Sequence, residues 1–278
     1  MATLEELESL FQERGIDFAM PGFYDGAAFQ HCESEDPRFL ENYGEYLHLL
    51  SFDHDYLNRA RVVVRELSTF LASELVADGR AGACIDASGA LMRMLEREGI
   101  WSCMVAGAAT VLFPPESGLG HRYFSPLVPP NNPAKTGHTW LFAPPFKVAD
   151  ITLLMQGWKR RESEHIPSAI LTERWEAAQA DTDDLMESEL AELIYRKTGR
   201  APSMADLSPQ LVQTMRKFPA FSITINGTQI KYVPTQVSAM DGTLERMRNL
   251  RLSGRYPFEL YQRFLEQKAA RAVDSSEG

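Results

Sequence analysis

Residues 101–113 form a run of thirteen residues without a single charge. The run is rich in valine, alanine and cysteine, and it leaves no room for a long amphipathic helix, so it indicates a buried strand. Helical patterns precede it, at 55–78 and in a further segment that begins near Cys84. Two short strands are predicted after it, at 138–142 and 146–151. A buried strand between helices and short strands predicts an α+β fold.

The composition excludes several classes of protein. The chain has 278 residues, of which 44% are hydrophobic and 24% are charged, and a net charge of −10. An acidic chain is a poor partner for nucleic acid or an anionic membrane, and no apolar run approaches the ~20 residues of a membrane span. The acidic N-terminus lacks the pattern of a signal peptide. We therefore expect a cytoplasmic protein that binds neither nucleic acid nor membrane.

The three cysteines, Cys32, Cys84 and Cys103, are too few and too irregularly spaced for a disulfide framework. The sequence has no Cys-x2-Cys or His-x3-His pair, so no metal site is expected, and no cofactor is expected either. Cys103 lies inside the buried strand and is interpreted as a small core residue.

The chain divides into three predicted regions. Residues 1–155 hold N-terminal helices and a core, which includes a long proline-rich loop at 114–137. Residues 156–270 are expected to be mostly helical and to pack on that core, with one β-hairpin at 220–234. The Asn-Gly pair at 226–227 predicts the turn of this hairpin, because both turn positions need a positive φ. Residues 271–278 are expected to be a disordered tail.

Cys84 is a candidate nucleophile because it lies at a predicted helix start. A thiol attacks as the thiolate, and an ordinary pKa of ~8.5 leaves little thiolate at neutral pH. The free N–H groups and the dipole at a helix N-terminus favour negative charge. The backbone N–H of Cys84 is also a natural donor to an oxyanion.

His138 and Asp150 are placed together by the geometry of a hairpin. If residues 143–145 connect the two short strands, His138 lies directly opposite Asp150 on one face. The carboxylate can then accept a hydrogen bond from one imidazole nitrogen, which leaves the other nitrogen for a thiol. A slip of one residue would move Asp150 to the other face, so the inference depends on register.

These residues resemble a known superfamily. The sequence GAC at 82–84 opens a helix, and it is followed by GHTWL at 137–141 and VADIT at 148–152. This pattern is similar to the transglutaminase-like superfamily, part of the wider papain-like fold, over roughly residues 60–155. The resemblance implies a catalytic triad of Cys84, His138 and Asp150. It also implies a core in which the helix that carries the cysteine packs on an antiparallel sheet that carries the histidine and the aspartate.

The resemblance implies acyl transfer on an amide through a thioester: hydrolysis, transamidation or deamidation of a peptide, protein or small amide. Ile85 departs from the aromatic residue that many members have after the cysteine. One alternative is an acyltransferase similar to arylamine N-acetyltransferases, since residues 80–84 loosely match their Arg-Gly-Gly-like turn. Another is an inactive member of the superfamily that binds a partner protein through residues 114–137 and the helical C-terminus.

Two further residues are candidates for substrate contact. Trp140 lies on the strand of His138 and is interpreted either as core beneath the site or as a wall of the substrate cleft. His121 lies on the proline-rich loop, where it is either a solvated histidine or a contact to substrate.

Overall fold

The computed structural model describes residues 2–130, 137–159 and 161–276. Within them the chain is α+β, with helices packed around a curled antiparallel sheet. The α-helices are α1 (Leu4–Glu13), α2 (Ala27–Glu35), α3 (Leu40–Leu49), α4 (His54–Asp78), α5 (Cys84–Arg97), α6 (Thr182–Leu185), α7 (Ser188–Thr198), α8 (Pro209–Lys217) and α9 (Pro257–Ser276). The strands are β1 (Cys103–Leu112), β2 (His121–Phe124), β3 (His138–Ala143), β4 (Phe146–Asp150), β5 (Ile170–Thr172), β6 (Glu176–Ala177), β7 (Phe221–Ile225) and β8 (Thr228–Ser238).

The two helices before the sheet follow local sequence rules. The side chain of Asp53 caps α4 by accepting from the N–H of Tyr56 at 2.7 Å. Helix α4 ends at Gly79, which has a φ of 72°. Helix α5 packs against β3 and β1, and its apolar face, with Leu91 and Leu95, is fully buried. The uncharged run therefore does form a buried strand, β1, with a helix against it.

Strand β1 lies at the centre of the sheet, whose order is β5-β4-β3-β1-β8-β7-β6. Strand β8 pairs along the length of β1, from Met104 to Leu112. On the other edge of β1, β3 pairs with residues 103–107 and β2 pairs with residues 109–112. Strands β3 and β2 thus follow one another along a single edge of β1.

The C-terminal region differs from the expectation. The hairpin at 220–234 does not pack on the core sheet but belongs to it, because β8 pairs with β1. The turn itself is as predicted, with a φ of 50° at Asn226 and 80° at Gly227. Residues 156–270 also contribute β5 and β6, so "mostly helical" describes this region only in part.

Two other segments differ from the sequence-based expectation. The loop at 114–137 contains strand β2 and a short 3-10 helix, Pro115–Ser117, while residues 131–136 lie outside the described part of the chain. The expected disordered tail is wrong for residues 271–276, which continue helix α9. In the described residues, no helix combines the length and the apolar character that a membrane span requires.

Candidate active site

Cys84 is the first residue of helix α5. The N-cap residue, Ala83, makes no side-chain hydrogen bond to the first turn. The N–H of Gly82 donates to the carbonyl of Met155 at 3.1 Å, which ties the turn before the helix to the segment after β4. Because the first N–H groups of a helix have no partner inside it, the thiol lies at a terminus that favours negative charge.

Strands β3 and β4 form the expected hairpin, but in another register. Leu141 pairs with Ala149, where the sequence argument places Lys147 opposite it, and an irregularity separates this pair from the pair nearest the turn. The direct opposition of His138 and Asp150 is therefore wrong by two residues. Because side chains alternate with a period of two, this shift leaves both residues on the same face, where diagonal neighbours can still meet.

His138 and Asp150 do meet. Nε2 of His138 lies 2.7 Å from Oδ2 of Asp150, and both side chains are fully buried. Nδ1 of His138 is also buried and makes no hydrogen bond to the residues that the structure describes. It is the nitrogen that remains to exchange a proton with the Cys84 thiol.

Asp150 is held by four further donors. Its Oδ1 accepts from the N–H of Thr152 at 2.9 Å, from the hydroxyl of Thr152 at 3.2 Å and from the N–H of Leu153 at 3.0 Å. Its Oδ2 accepts from the hydroxyl of Tyr232 on β8 at 3.0 Å. Hydrogen bonds to the charged form of a carboxyl group stabilise that form. These donors therefore favour the ionised form of Asp150 inside the protein.

The pKa values of the three groups describe an ion pair. Burial alone would raise the pKa of Cys84, but the adjacent His138 ring and the Thr139 hydroxyl outweigh it, so the pKa of the thiol is lowered. Burial would lower the pKa of His138, but Asp150 and Cys84 outweigh it and raise that pKa. Burial would raise the pKa of Asp150, but His138 and the other donors lower it. All three shifts favour a thiolate and an imidazolium beside an ionised carboxylate.

Two glycines let the chain place His138 at this point. Gly137 precedes it with a φ of 56°, and a Cβ there would lie 2.6 Å from the carbonyl oxygen of Gly107. Gly107 itself pairs with His138 across β1 and β3, and a Cβ there would lie 2.0 Å from the carbonyl oxygen of Val233. Only glycine fits this close approach of three strands.

The two predicted substrate contacts have different surroundings, and only Trp140 reaches the triad, with its ring stacked on that of His138 at 6.3 Å between centroids. Trp140 is 1% exposed and packs on Tyr232, with ring centroids 4.7 Å apart, so it is core beneath the site and not a cleft wall. His121 is exposed, and its Nδ1 lies 3.3 Å from the hydroxyl of Tyr123. Pairing along β1 places His121 opposite Leu112, on the face away from His138.

Sequence reasoning missed the groups that hold and cover the triad. Tyr232 is 82 residues from Asp150 in the chain, and no local pattern signals its hydrogen bond. Phe124 lies over the histidine, with its ring centroid 6.3 Å from that of His138, and it contacts Trp158 at 5.2 Å. The alternation of side chains on β2 could have placed Phe124, but only once β2 was recognised as a strand.

The other cysteines do not join the site. Cys32 lies in α2, and burial raises the pKa of Cys103 to about 12. In the described parts of the chain, no group of three or more histidine, cysteine, aspartate or glutamate side chains is arranged to hold a metal ion.

The site is thus a buried Cys–His–Asp triad at a helix N-terminus. Comparisons of the chain with protein-family models, with curated proteins and with solved structures give no match. The resemblance to the transglutaminase-like superfamily therefore stays a prediction that depends on the residues of this chain.

Proposed function

We propose that the chain is a cysteine-dependent enzyme that acts on an amide through a thioester, with a papain-like core of the transglutaminase-like type. The hydrogen bond between Nε2 of His138 and Asp150 carries the proposal, because it leaves the buried Nδ1 of the ring, which has no partner among the described residues, for a proton transfer with the thiol at the start of α5. The pKa shifts of His138 and Cys84 have the directions that such a pair needs. The packing of α5 on β3 and β1 supports the papain-like core, since it places the thiol of a helix beside the histidine of an antiparallel strand.

The proposed reaction begins with the thiolate of Cys84. It attacks the carbonyl carbon of the amide and forms a tetrahedral oxyanion, which the free N–H groups at the start of α5 stabilise. The imidazolium of His138 donates its Nδ1 proton to the amine, the C–N bond breaks, and a thioester remains on Cys84. Asp150 holds the ring through Nε2 during this transfer.

The second half of the reaction releases the acyl group. Neutral His138 takes a proton from water, and the resulting hydroxide attacks the thioester carbon. The C–S bond breaks, and the product acid leaves with the thiolate and imidazolium restored. An amine in place of water would give transamidation by the same steps. We propose hydrolysis as the main outcome.

The test is to trap the thioester. The protein is incubated with peptides that carry glutamine, asparagine and a C-terminal amide, and its intact mass is measured with and without hydroxylamine, which cleaves thioesters. We expect an acyl adduct on Cys84 that hydroxylamine removes. Cys84→Ala should abolish the adduct and turnover, whereas Cys32→Ala, a matched control, should retain both. Turnover that survives Cys84→Ala would overturn the proposal.

A second candidate is a binding domain of the same fold that has lost its activity. Its support is burial: Cys84 is 8% exposed, and His138 and Asp150 are each 1% exposed. Iodoacetamide separates the two candidates. An enzyme should be alkylated at Cys84 at mildly acidic pH, well before Cys32 and Cys103, whereas equal and slow alkylation of all three favours the binding domain. An acetyl adduct on Cys84 after exposure to acetyl-CoA would indicate an acyltransferase.

A further inference from the structure

Strand β2 extends the line of side chains that begins at His138. Along β1, Gly107 pairs with His138, Ala109 with Phe124 and Val111 with Arg122. Positions two apart on a strand share a face, so the side chains of Arg122 and Phe124 lie on the face of His138. The aromatic ring of Phe124 stands between the guanidinium and the imidazole, 6.0 Å from the first and 6.3 Å from the second.

Arg122 is a cation without an acidic partner. Its Nη2 donates to the carbonyl of Gly157, which lies in the segment that follows Asp150. Its Nε is buried and makes no hydrogen bond in the part of the chain that the structure describes. No carboxylate among those residues forms an ion pair with it. A guanidinium has five N–H donors in a planar fork, and most of those of Arg122 are unused.

We propose that Arg122 binds a carboxylate of the substrate, so that the amide processed by Cys84 belongs to an acidic acyl-amino acid or to a peptide with a free C-terminus. The inference rests on the proposed function, since it assigns the substrate class of the same site. A carboxylate accepts two parallel hydrogen bonds from a guanidinium edge and neutralises its charge, which makes it the best match for the unused donors.

The spacing limits the length of the substrate. Four residues along β1 separate the positions opposite His138 and Arg122, a span of roughly 13 Å, and the long arginine side chain shortens the gap. The carboxylate therefore lies one or two amino-acid residues from the carbonyl that is attacked. The rings of Phe124 and Trp158 give this interval an apolar wall, which suits an apolar segment between the amide and the carboxylate.

The test measures binding without chemistry, in the Cys84→Ala protein. The probes are benzoylglycine and benzoylglycylglycine, each as the free acid and as its C-terminal amide, and the method is titration calorimetry. We expect the free acid of at least one length to bind about tenfold more tightly than its amide. The additional change Arg122→Gln should remove this preference and leave the affinity for the amide unchanged.

Two further variants keep the result decisive. Arg80→Gln removes a cation that donates to the carbonyl of Asn249, and it should retain the preference for the acid. Arg122→Lys keeps the positive charge but not the planar set of guanidinium donors, so it should lose part of the preference for the acid. If circular dichroism shows that Arg122→Gln is unfolded, the Arg122→Lys protein is used in its place.

Three results would overturn the inference. The acid and the amide could bind with equal affinity, neither could bind, or the Arg122 variants could keep the whole preference for the acid. Because the Cys84→Ala protein performs no reaction, these outcomes do not depend on whether the wild-type chain is an enzyme. Acid preference without turnover in the wild type would contradict the proposed function alone.

Discussion

In the proposed reaction the proton that is moved starts on His138, because Asp150 and Cys84 together raise the pKa of its ring. Nε2 of the ring lies within hydrogen-bond distance of Asp150, and the histidine in turn lowers the pKa of the Cys84 thiol. Tyr232 adds a neutral donor, since burial and the adjacent Asp150 raise the pKa of its phenol well above the ordinary value. The triad and Tyr232 therefore form a connected series in which each group shifts the pKa of its neighbour.

Removing one group of this series should lower kcat by an amount that depends on the group removed. Tyr232→Phe deletes one hydrogen bond to Asp150 and should lower kcat by roughly 10- to 150-fold, because a hydrogen bond to a charged group contributes about 1.5–3 kcal/mol. Asp150→Asn should lower kcat by roughly ten-thousandfold, since the ring loses its orienting charge. Steady-state kinetics measure both. Tyr123→Phe, on the other face of β2, is the control, and a larger loss there than in Tyr232→Phe would contradict the account.

The pH dependence follows from the two shifted pKa values. As pH falls, Cys84 is protonated below the ordinary thiol pKa, because its pKa is lowered. As pH rises, His138 loses its proton above the ordinary histidine pKa, because its pKa is raised. The plot of kcat/KM against pH should therefore be a bell whose acid limb lies below the ordinary thiol pKa and whose alkaline limb lies above the ordinary histidine pKa. An acid limb near pH ~8.5, the ordinary pKa of a free thiol, would argue against an ion pair of Cys84 and His138.

At the scale of elements, the start of β3 depends on the close approach of Gly137 and Gly107. Gly137→Ala introduces both a positive-φ residue and a contact of 2.6 Å with a carbonyl oxygen. Gly118 is a matched control, because its φ is 67° and a Cβ there meets nothing within 4 Å. Gly118→Ala should lower the free energy of unfolding by about 1–2 kcal/mol, and Gly137→Ala by roughly 1–3 kcal/mol more. Urea denaturation measures both, and equal losses would show that the contact is unimportant.

Periodicity predicted individual elements well but not their relative positions. Helices α4 and α5 and strand β1 follow from local apolar patterns, and so do the two strands that carry His138 and Asp150. Their register does not. Ala143 rather than Phe142 pairs with Phe146 at the turn, which shifts the pairing by one residue, and the irregularity between Leu141 and Ala143 shifts it by one more. His138 and Asp150 still lie on the same face of the hairpin, because the pairing is shifted by an even number of residues. Strand β2 was missed since its partner, β1, lies across a loop and its own four residues carry no strong alternation.

At the scale of the whole molecule, the candidate site depends on the C-terminal part of the chain. Strand β8 covers one edge of β1 and brings Tyr232 to Asp150. The sequence predicted the hairpin of β7 and β8 from its turn, but which edge the hairpin joins depends on contacts between residues more than a hundred positions apart. No local signal contains that information.

A fragment of residues 1–155 should not fold by itself. It keeps Cys84, His138 and Asp150, but the edge of β1 from Met104 to Leu112 has no partner, and an unpaired central edge exposes backbone donors and apolar surface. We expect no cooperative unfolding transition of the fragment by circular dichroism, whereas the full chain should show one. A cooperative transition and a reactive Cys84 in the fragment would mean that the boundary at residue 155 separates independent domains.

We propose that His138 lowers the pKa of Cys84 far enough for the thiol to ionise at neutral pH. Thiolates absorb ultraviolet light where thiols do not, so the difference in absorbance between the wild type and Cys84→Ser reports this one residue as pH is varied. We predict a Cys84 thiolate at pH 7 that His138→Ala converts to a thiol at the same pH. A Cys84 that ionises only near ~8.5, and equally in both proteins, would contradict the account.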